Sequence, residues 1–452
     1  MNTSLPPGNG NGNGGGSASR VTRPKALRRG RRLLGDPGRL PGVARVISKF
    51  GAPFGKRFTR NHFEILRLAY AAYAGLKASA PLIRERGANI FTQWTGDPDA
   101  FGSAIMLEAI LRKLGAENVR ILTGALGHPQ NVQMVKVCGI EYYSPNEGRI
   151  QDGLACMVDA SPPLGARNTG GVTPERDFLF VADHHTGLEE VQRQSQERGV
   201  RSIRHAFIGL PVGSTSAFMA AIGLAFGVWD DIGPRGRAAA ALGIYTDTSA
   251  LMHGATALDF RMFEKLTRDE ETRDVLSELR DYRVPREWYT YKAVSTQWML
   301  TQGAVRIAPI GRVPDEHRDV IAEIASDLLR VEGTSLGIAV AWTDRGTEVS
   351  IRADSRLLGY DKDRIVRVVE HLLDKVFPGL SGFKYERRPP HRVEGGACTA
   401  HNTAQDDAFH LTFIDHPTGY PELDHCRGCA RALLVALTEL KFKDPEEIQG
   451  LI

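Results

Sequence analysis

The stretch Phe178-Leu179-Phe180-Val181-Ala182-Asp183-His184-His185 decides how the chain folds. Its apolar run, Phe178 to Ala182, has the length and composition of a short buried strand, the form taken by strands in parallel sheets with both faces covered. That strand ends in a carboxylate and two imidazoles, which delivers hard and borderline ligands for a divalent cation to one point. His-His pairs also occur on solvated loops, so the weight of this one depends on what surrounds it.

Around it, strands and helices alternate. Phe63 to Ile83 carries apolar residues at helical spacing and predicts one long amphipathic helix. Strands are predicted at Asn89 to Trp94, Val119 to Thr123 and Gly153 to Val158, with helices over Gly102 to Leu114, Asn131 to Val137, Leu188 to Arg198 and Ser214 to Phe226. Arg237 to Tyr245 leads into a further acidic strand end or helix-to-loop junction. Such interleaving implies an α/β fold with a mostly parallel sheet and helices on both faces, whose ligands bind beyond the carboxyl ends of the strands.

From Arg268 the chain becomes charged and helix-prone, which suits a helical linker over residues 268–295. Strands are then predicted at Gln302 to Ile310, Leu336 to Trp342 and Thr347 to Arg352, with helices near Asp319 to Leu329 and Asp363 to Leu373. These make a second, smaller α/β domain over residues 296–420, closed by a C-terminal helix in residues 421–452, at Asp424 to Leu440.

Composition bounds the class. The 452 residues are 42% hydrophobic and 24% charged, ordinary for a globular protein with two or three cores. The most apolar stretch, Ser214 to Trp229, is too short to span a bilayer, so no membrane role is expected. Residues 1–60 read as a Gly- and Asn-rich disordered tail without a signal peptide's apolar core, followed by a basic arm in which Asp36 is the only acid after Arg20. The arm could contact nucleic acid or another acidic surface, or serve only as a solvated linker. Five scattered Cys exclude a disulfide framework and fit a cytoplasmic location. Cys426 and Cys429, with His425 beside them, would need two further donors to hold zinc, and His391, Cys398, His401 and His416 are the candidates. Packed thiols are the simpler expectation.

Four segments place Asp just after an apolar run: Asp97 and Asp99 after Ile90 to Trp94, Asp159 after Leu154 to Val158, Asp183 after Phe178 to Ala182, and Asp247 after Leu242 to Tyr245. Each alone could be a turn former or helix cap. Five carboxylates and two imidazoles at one edge of one sheet favour Mn²⁺ or Mg²⁺ over structural zinc, and two ions about 4 Å apart are a standard device for phosphoester hydrolysis.

These segments resemble the DHH phosphoesterases. The matching residues are Gly96-Asp97-Pro98-Asp99-Ala100-Phe101-Gly102-Ser103, Val158-Asp159, Ala182-Asp183-His184-His185 and Gly243-Ile244-Tyr245-Thr246-Asp247-Thr248, in the family's order and spacing. The resemblance covers Ala88 to Asp259, within a DHH-like catalytic domain over residues 61–267. It extends more weakly to a divergent DHHA1-like substrate-binding domain, about Thr301 to Pro417. It implies a manganese-dependent hydrolase of short nucleotides: an oligoribonuclease acting on nanoRNA, a phosphatase of adenosine 3′,5′-bisphosphate, or a phosphodiesterase of cyclic or linear dinucleotides. In that pattern Asp97 and Asp159 would hold one Mn²⁺, and Asp99, Asp159, His184 and Asp247 the other, with a bridging water as nucleophile. His185 would face the substrate phosphate, and Asp183 would orient the site. Ser214, Thr215 and Ser216, at a predicted helix start, would cap that helix or bind a phosphate. A homodimer is also compatible with the pattern.

Two positions depart from it. Gln93 stands where the family has a His that completes the first ion's ligands, and an amide is the poorer ligand, so that ion would be weakly held, Mg²⁺-tolerant or missing. The companion domain's glycine-rich run appears as Glu394-Gly395-Gly396-Ala397, with Ala397 where a nucleotide-contacting His is usual. Gly395 and Gly396 still permit close backbone approach to a substrate, and Arg352 matches a substrate-side Arg. Two other readings follow: a nucleotide-binding regulatory module with weakened catalysis, or a RecJ-like single-strand exonuclease, for which the chain lacks an OB-like region to grip a long strand.

Overall fold

The sheet that positions the acidic residues is parallel throughout. In the computed structural model, which describes residues 60–124, 126–162, 177–185, 202–252, 254–354, 362–377, 384–388, 392–398 and 417–439, it has six strands. They are β1 (Ala88–Phe91), β2 (Val119–Leu122), β3 (Tyr142–Tyr143), β4 (Leu154–Val158), β5 (Asp177–Asp183) and β6 (Ser202–Ile208), in the spatial order β3-β2-β1-β4-β5-β6. The order reverses between β1 and β4, which opens a crevice at their carboxyl ends, the usual ligand position in such sheets. β1 and β4 are buried at every residue, and β5 at all but its first, as a sheet covered on both faces requires. The tail and arm up to residue 59, the helix expected at Leu188 to Arg198, and His391, His401 and His416 lie outside the described residues.

Two expectations change, and one open alternative is settled. The single helix over Phe63 to Ile83 is two, α1 (Arg60–Ala78) and α2 (Ala80–Arg86), because Pro81 cannot donate to the preceding turn and is tolerated only in the first turn of a new helix. The helix after β1 starts earlier than Gly102. It is α3 (Pro98–Lys113), with Asp97 as its N-cap accepting from the Ala100 amide at 2.9 Å and Pro98 in its first turn. Asp99 is therefore a residue of a helix, and so is Asp247. After α4 (Pro129–Cys138) and α5 (Thr215–Phe226), Asp247 closes α6 (Gly233–Asp247). It reaches the site from a helix end, the helix-to-loop junction expected as the alternative to a strand end. β6 escapes a search for apolar runs because its residues alternate, as an edge strand with one wet face does.

Close helix crossings bring these acids together. A Cβ on Gly102 of α3 would lie 2.6 Å from Ser216 Oγ and 2.9 Å from Ala240 Cα. A Cβ on Gly243 of α6 would lie 2.5 Å from Ser216 Oγ and 2.9 Å from Asp99 Cα. No side chain fits at either point, so the glycines let α3, α5 and α6 approach until Asp99, Thr215 and Asp247 share one place. Asp259 in the first turn of α7 (Ala257–Leu266) fixes the start of α5. It is buried and accepts from Gly213 N at 2.9 Å, Ser214 Oγ at 3.0 Å, Thr256 N at 2.8 Å and Thr256 Oγ1 at 2.6 Å.

The linker region forms α8 (Glu270–Arg280), which packs on α4 and α6, and α9 (Arg286–Gln297), which packs on the second sheet. That sheet holds β7 (Leu300–Gln302), β8 (Val305–Arg312), β9 (Leu336–Thr343), β10 (Gly346–Asp354), β11 (Lys384–Arg388) and β12 (Arg392–Cys398) in the order β11-β12-β10-β9-β8-β7. Only β8 and β9 pair in parallel, so the second domain is a mixed sheet. α10 (Asp319–Leu328), α11 (Lys362–Val376) and α12 (Pro421–Glu439) pack on it. The loop after β2 meets this domain: His128 packs edge-on to Trp288, and a Cβ on Gly127 would lie 2.7 Å from Asp319 Oδ2. No helix among the described residues is long and apolar enough to cross a membrane.

Candidate metal centre

At the crevice, β4 ends in Asp159 with φ 56°, the left-handed conformation that Asp tolerates better than most residues and that costs on the order of 1–3 kcal/mol. The turn aims its carboxylate at the start of α5. Oδ1 accepts from Thr215 Oγ1 at 3.1 Å, while Oδ2 is buried without a hydrogen-bond partner among the described residues. Opposite, Asp99 accepts from the Thr215 amide on one oxygen and the Ser216 amide on the other, both at 2.7 Å. The positive end of α5 thus holds a carboxylate of the chain, while Ser214 caps the helix by accepting from Ala217 N at 3.2 Å.

His184 lies between the acids. Its Nε2 is 2.9 Å from Asp247 Oδ2, 3.5 Å from Asp159 Oδ1 and 3.7 Å from Asp99 Oδ2. His185 stacks beside it with ring centroids 4.1 Å apart, and its Nδ1 is 3.7 Å from Asp159 Oδ1 and 3.0 Å from Asp183 Oδ1. Asp183 is fully buried behind His185. It accepts from the His185 amide at 3.1 Å and from Ser161 Oγ, so it braces the imidazole. Two ligand groups result, Asp159 with His184 and His185, and Asp99 with His184 and Asp247, each with donor atoms within 4.8 Å of one another. Asp97 joins neither. Its Oδ1 caps α3, and its Oδ2 accepts a close hydrogen bond from the Gln93 side-chain amide.

Burial and neighbouring negative charge perturb Asp97, Asp99 and Asp159. Burial, then the charge of Asp247, raises the Asp97 carboxyl to about 6 against the Ala100 amide. Burial and Asp247 also raise Asp99 against His184 and Ser216. Asp159 stands well above the ordinary carboxylate range through burial and through Asp99, Asp97 and Asp247. Burial and His185 oppose the protonation of His184, but the Asp247 hydrogen bond and charge prevail and raise it. For Asp183 the order inverts: burial would raise it, but His185 and Ser161 hold it below its usual value. Three carboxylates within 3.7 Å of His184 Nε2 fit a divalent cation of the Mn²⁺ or Mg²⁺ type, whose charge would relieve that repulsion.

The remaining candidates lie elsewhere. Arg352, on β10, donates to Ser326 Oγ and Ser350 Oγ, each at 3.3 Å, and to Ile351 O at 3.0 Å. Gly395 and Gly396 are interior to β12, which runs between β10 and β11, with Ala397 opposite Val349. Cys426 and Cys429 are buried on α12. The Cys426 thiol is pushed up to about 12 by burial, and His425 Nε2 lies 2.7 Å from Thr347 Oγ1 and 3.4 Å from Cys429 Sγ. Among the described residues no metal-ligand group forms around them. Sequence reading missed Ser161, Asp259 and the pairing of the Thr215 and Ser216 amides with Asp99. Only the last left a signal, a Ser-Thr-Ser run at a helix start, because the others act through contacts distant in sequence.

Fold and site together define a two-sheet α/β protein with a carboxylate–imidazole centre at the crevice of its parallel sheet. No protein-family profile matches the chain. It is similar to an uncharacterized protein of Methanocaldococcus jannaschii, 22% identical over 294 residues, which are 64% of this chain and 55% of that protein. The chain thus spans about half the length of that relative. Among solved structures, an exopolyphosphatase-related protein from Bacteroides fragilis matches with a TM-score of 0.53 and 12% identity, covering 81% of this chain and 98% of that one. At that identity the likeness shows a shared fold.

Proposed function

We propose that the chain is a divalent-metal-dependent phosphohydrolase of the DHH type that acts on short nucleotides. The observation that carries this reading is the approach of Asp99, Asp159 and Asp247 to within 3.7 Å of His184 Nε2, with Asp159 Oδ2 buried and without a hydrogen-bond partner among the described residues. When bound, a divalent cation would supply Lewis acidity there, lowering the pKa of a water and offsetting negative charge on the phosphoryl oxygens. The four side chains would hold it, with Thr215 fixing the Asp159 oxygen that faces His184. His185, one-third exposed, would contact the substrate phosphate, oriented by Asp183 and Ser161. The fold shared with an exopolyphosphatase-related protein is consistent with attack at phosphorus.

With Mn²⁺ present, the purified chain is expected to hydrolyse at least one of pGpG, adenosine 3′,5′-bisphosphate, cyclic di-AMP or a short polyphosphate, and to lose that activity to a chelator. Binding of these ligands without turnover of any would instead support the nucleotide-binding module, the reading that the Gln93 contact favours.

A further inference from the structure

The resemblance requires Asp97 as a ligand of a first ion, but the structure engages that carboxylate otherwise. We propose that the Gln93 amide takes the place of a cation at Asp97, so that the centre holds one divalent ion rather than two. The proposal rests on the phosphohydrolase reading above and concerns the ion count of the same site.

Each Asp97 oxygen accepts a hydrogen bond. Oδ1 closes the first turn of α3 through Ala100 N at 2.9 Å, and Oδ2 accepts from Gln93 Nε2. An amide nitrogen has no lone pair to give a metal, beside the bare carboxylate it is the nitrogen that faces the oxygen, and the amide oxygen is a poorer ligand than an imidazole. An imidazole at residue 93 would offer a ligand nitrogen instead.

Nor is the Gln93 contact a loose surface encounter. The Gln93 carbonyl accepts from Thr92 Oγ1 at 3.0 Å and Thr123 Oγ1 at 3.3 Å. The turn that follows is tied down by Gly124 N on Trp94 O at 3.0 Å and Asn131 Nδ2 on Gly96 O at 2.9 Å. The backbone bearing Gln93 is thereby fixed beside Asp97. Among the described residues Asp97 belongs to no ligand group, whereas Asp99, Asp159, Asp247 and both His do. A hydrogen-bond donor satisfies Asp97 without the charge of a second ion, and the two ligand groups that remain have His184 in common.

Metal content decides it without recourse to turnover. The full chain, stripped by chelation and dialysed against excess Mn²⁺, is expected to bind one ion and show the hyperfine-split resonance of an isolated Mn²⁺. Gln93→His should raise the content to two ions and give a spin-coupled spectrum. Asp97→Asn, which keeps the helix cap, should still bind one ion with affinity within about 3-fold of the unaltered chain, since Asn caps as well as Asp. Asp159→Asn should lose the ion. Two ions in the unaltered chain would overturn the proposal while sparing the hydrolase reading, and none would overturn both. A Gln93→His chain that still binds one ion would remove Gln93 as the cause.

Discussion

Asp159→Ala lowers Mn²⁺-dependent hydrolysis by on the order of 10³-fold and removes the ion from the centre. Asp159 lies within reach of both His184 and His185 through the oxygen that Thr215 secures, and its other oxygen is buried without a hydrogen-bond partner among the described residues. Alanine also places a β-carbon residue without a compensating polar side chain at φ 56°, which adds a folding cost. Asp159→Asn separates the two effects. Asn adopts that conformation readily and accepts from Thr215, so the fold persists while ion and activity are lost. Rates and Mn²⁺ isotherms for both variants check this, and an Asp159→Asn chain with undiminished metal affinity would contradict it.

The metal-free protein becomes less stable as pH rises, the reverse of a protein held by paired carboxylates. Asp97 protonates near 6 when folded against 3.8 when unfolded, so between those values the folded chain keeps a proton that the unfolded chain has released. Stability from that proton is complete below 3.8 and gone above about 6. Asp99 and Asp159, also raised, extend the fall upward, and His184 acts in the same sense, its contribution fading as pH climbs through its raised value. Asp183, held below 3.8, opposes the trend only in stronger acid. Added Mn²⁺ should therefore raise the thermal midpoint by about 5 °C near neutral pH and far less near pH 5, where protons compete for the same oxygens. Unfolding curves over that range, with and without Mn²⁺, read it directly. A metal-free midpoint that rises with pH would contradict it.

Much of the first sheet was legible because its central strands are buried on both faces and so appear as unbroken apolar runs, as at Leu154 to Val158 and Phe178 to Ala182. β6 was not, because an edge strand with one wet face alternates Ile203, Arg204, His205 and Ala206. The acids were legible as residues following apolar runs, but not their supports. Asp97 and Asp99 read as strand-end groups, whereas the Pro98 that separates them starts a helix that Asp97 caps. The origin of Asp247 on α6 depends on Gly102 and Gly243, whose importance lies in helices that meet only in the folded chain. The consequence of Gln93 was legible as a missing ligand, but its hydrogen bond to Asp97 depends on the geometry of the turn between them.

Diffraction at the manganese absorption edge from crystals grown with Mn²⁺ tests the centre most directly. The expected result is an anomalous peak enclosed by Asp99, Asp159, His184 and Asp247, with none between Gln93 and Asp97. No peak among those four residues, in crystals that show the ion bound elsewhere, would contradict the assignment of this cluster as the metal site.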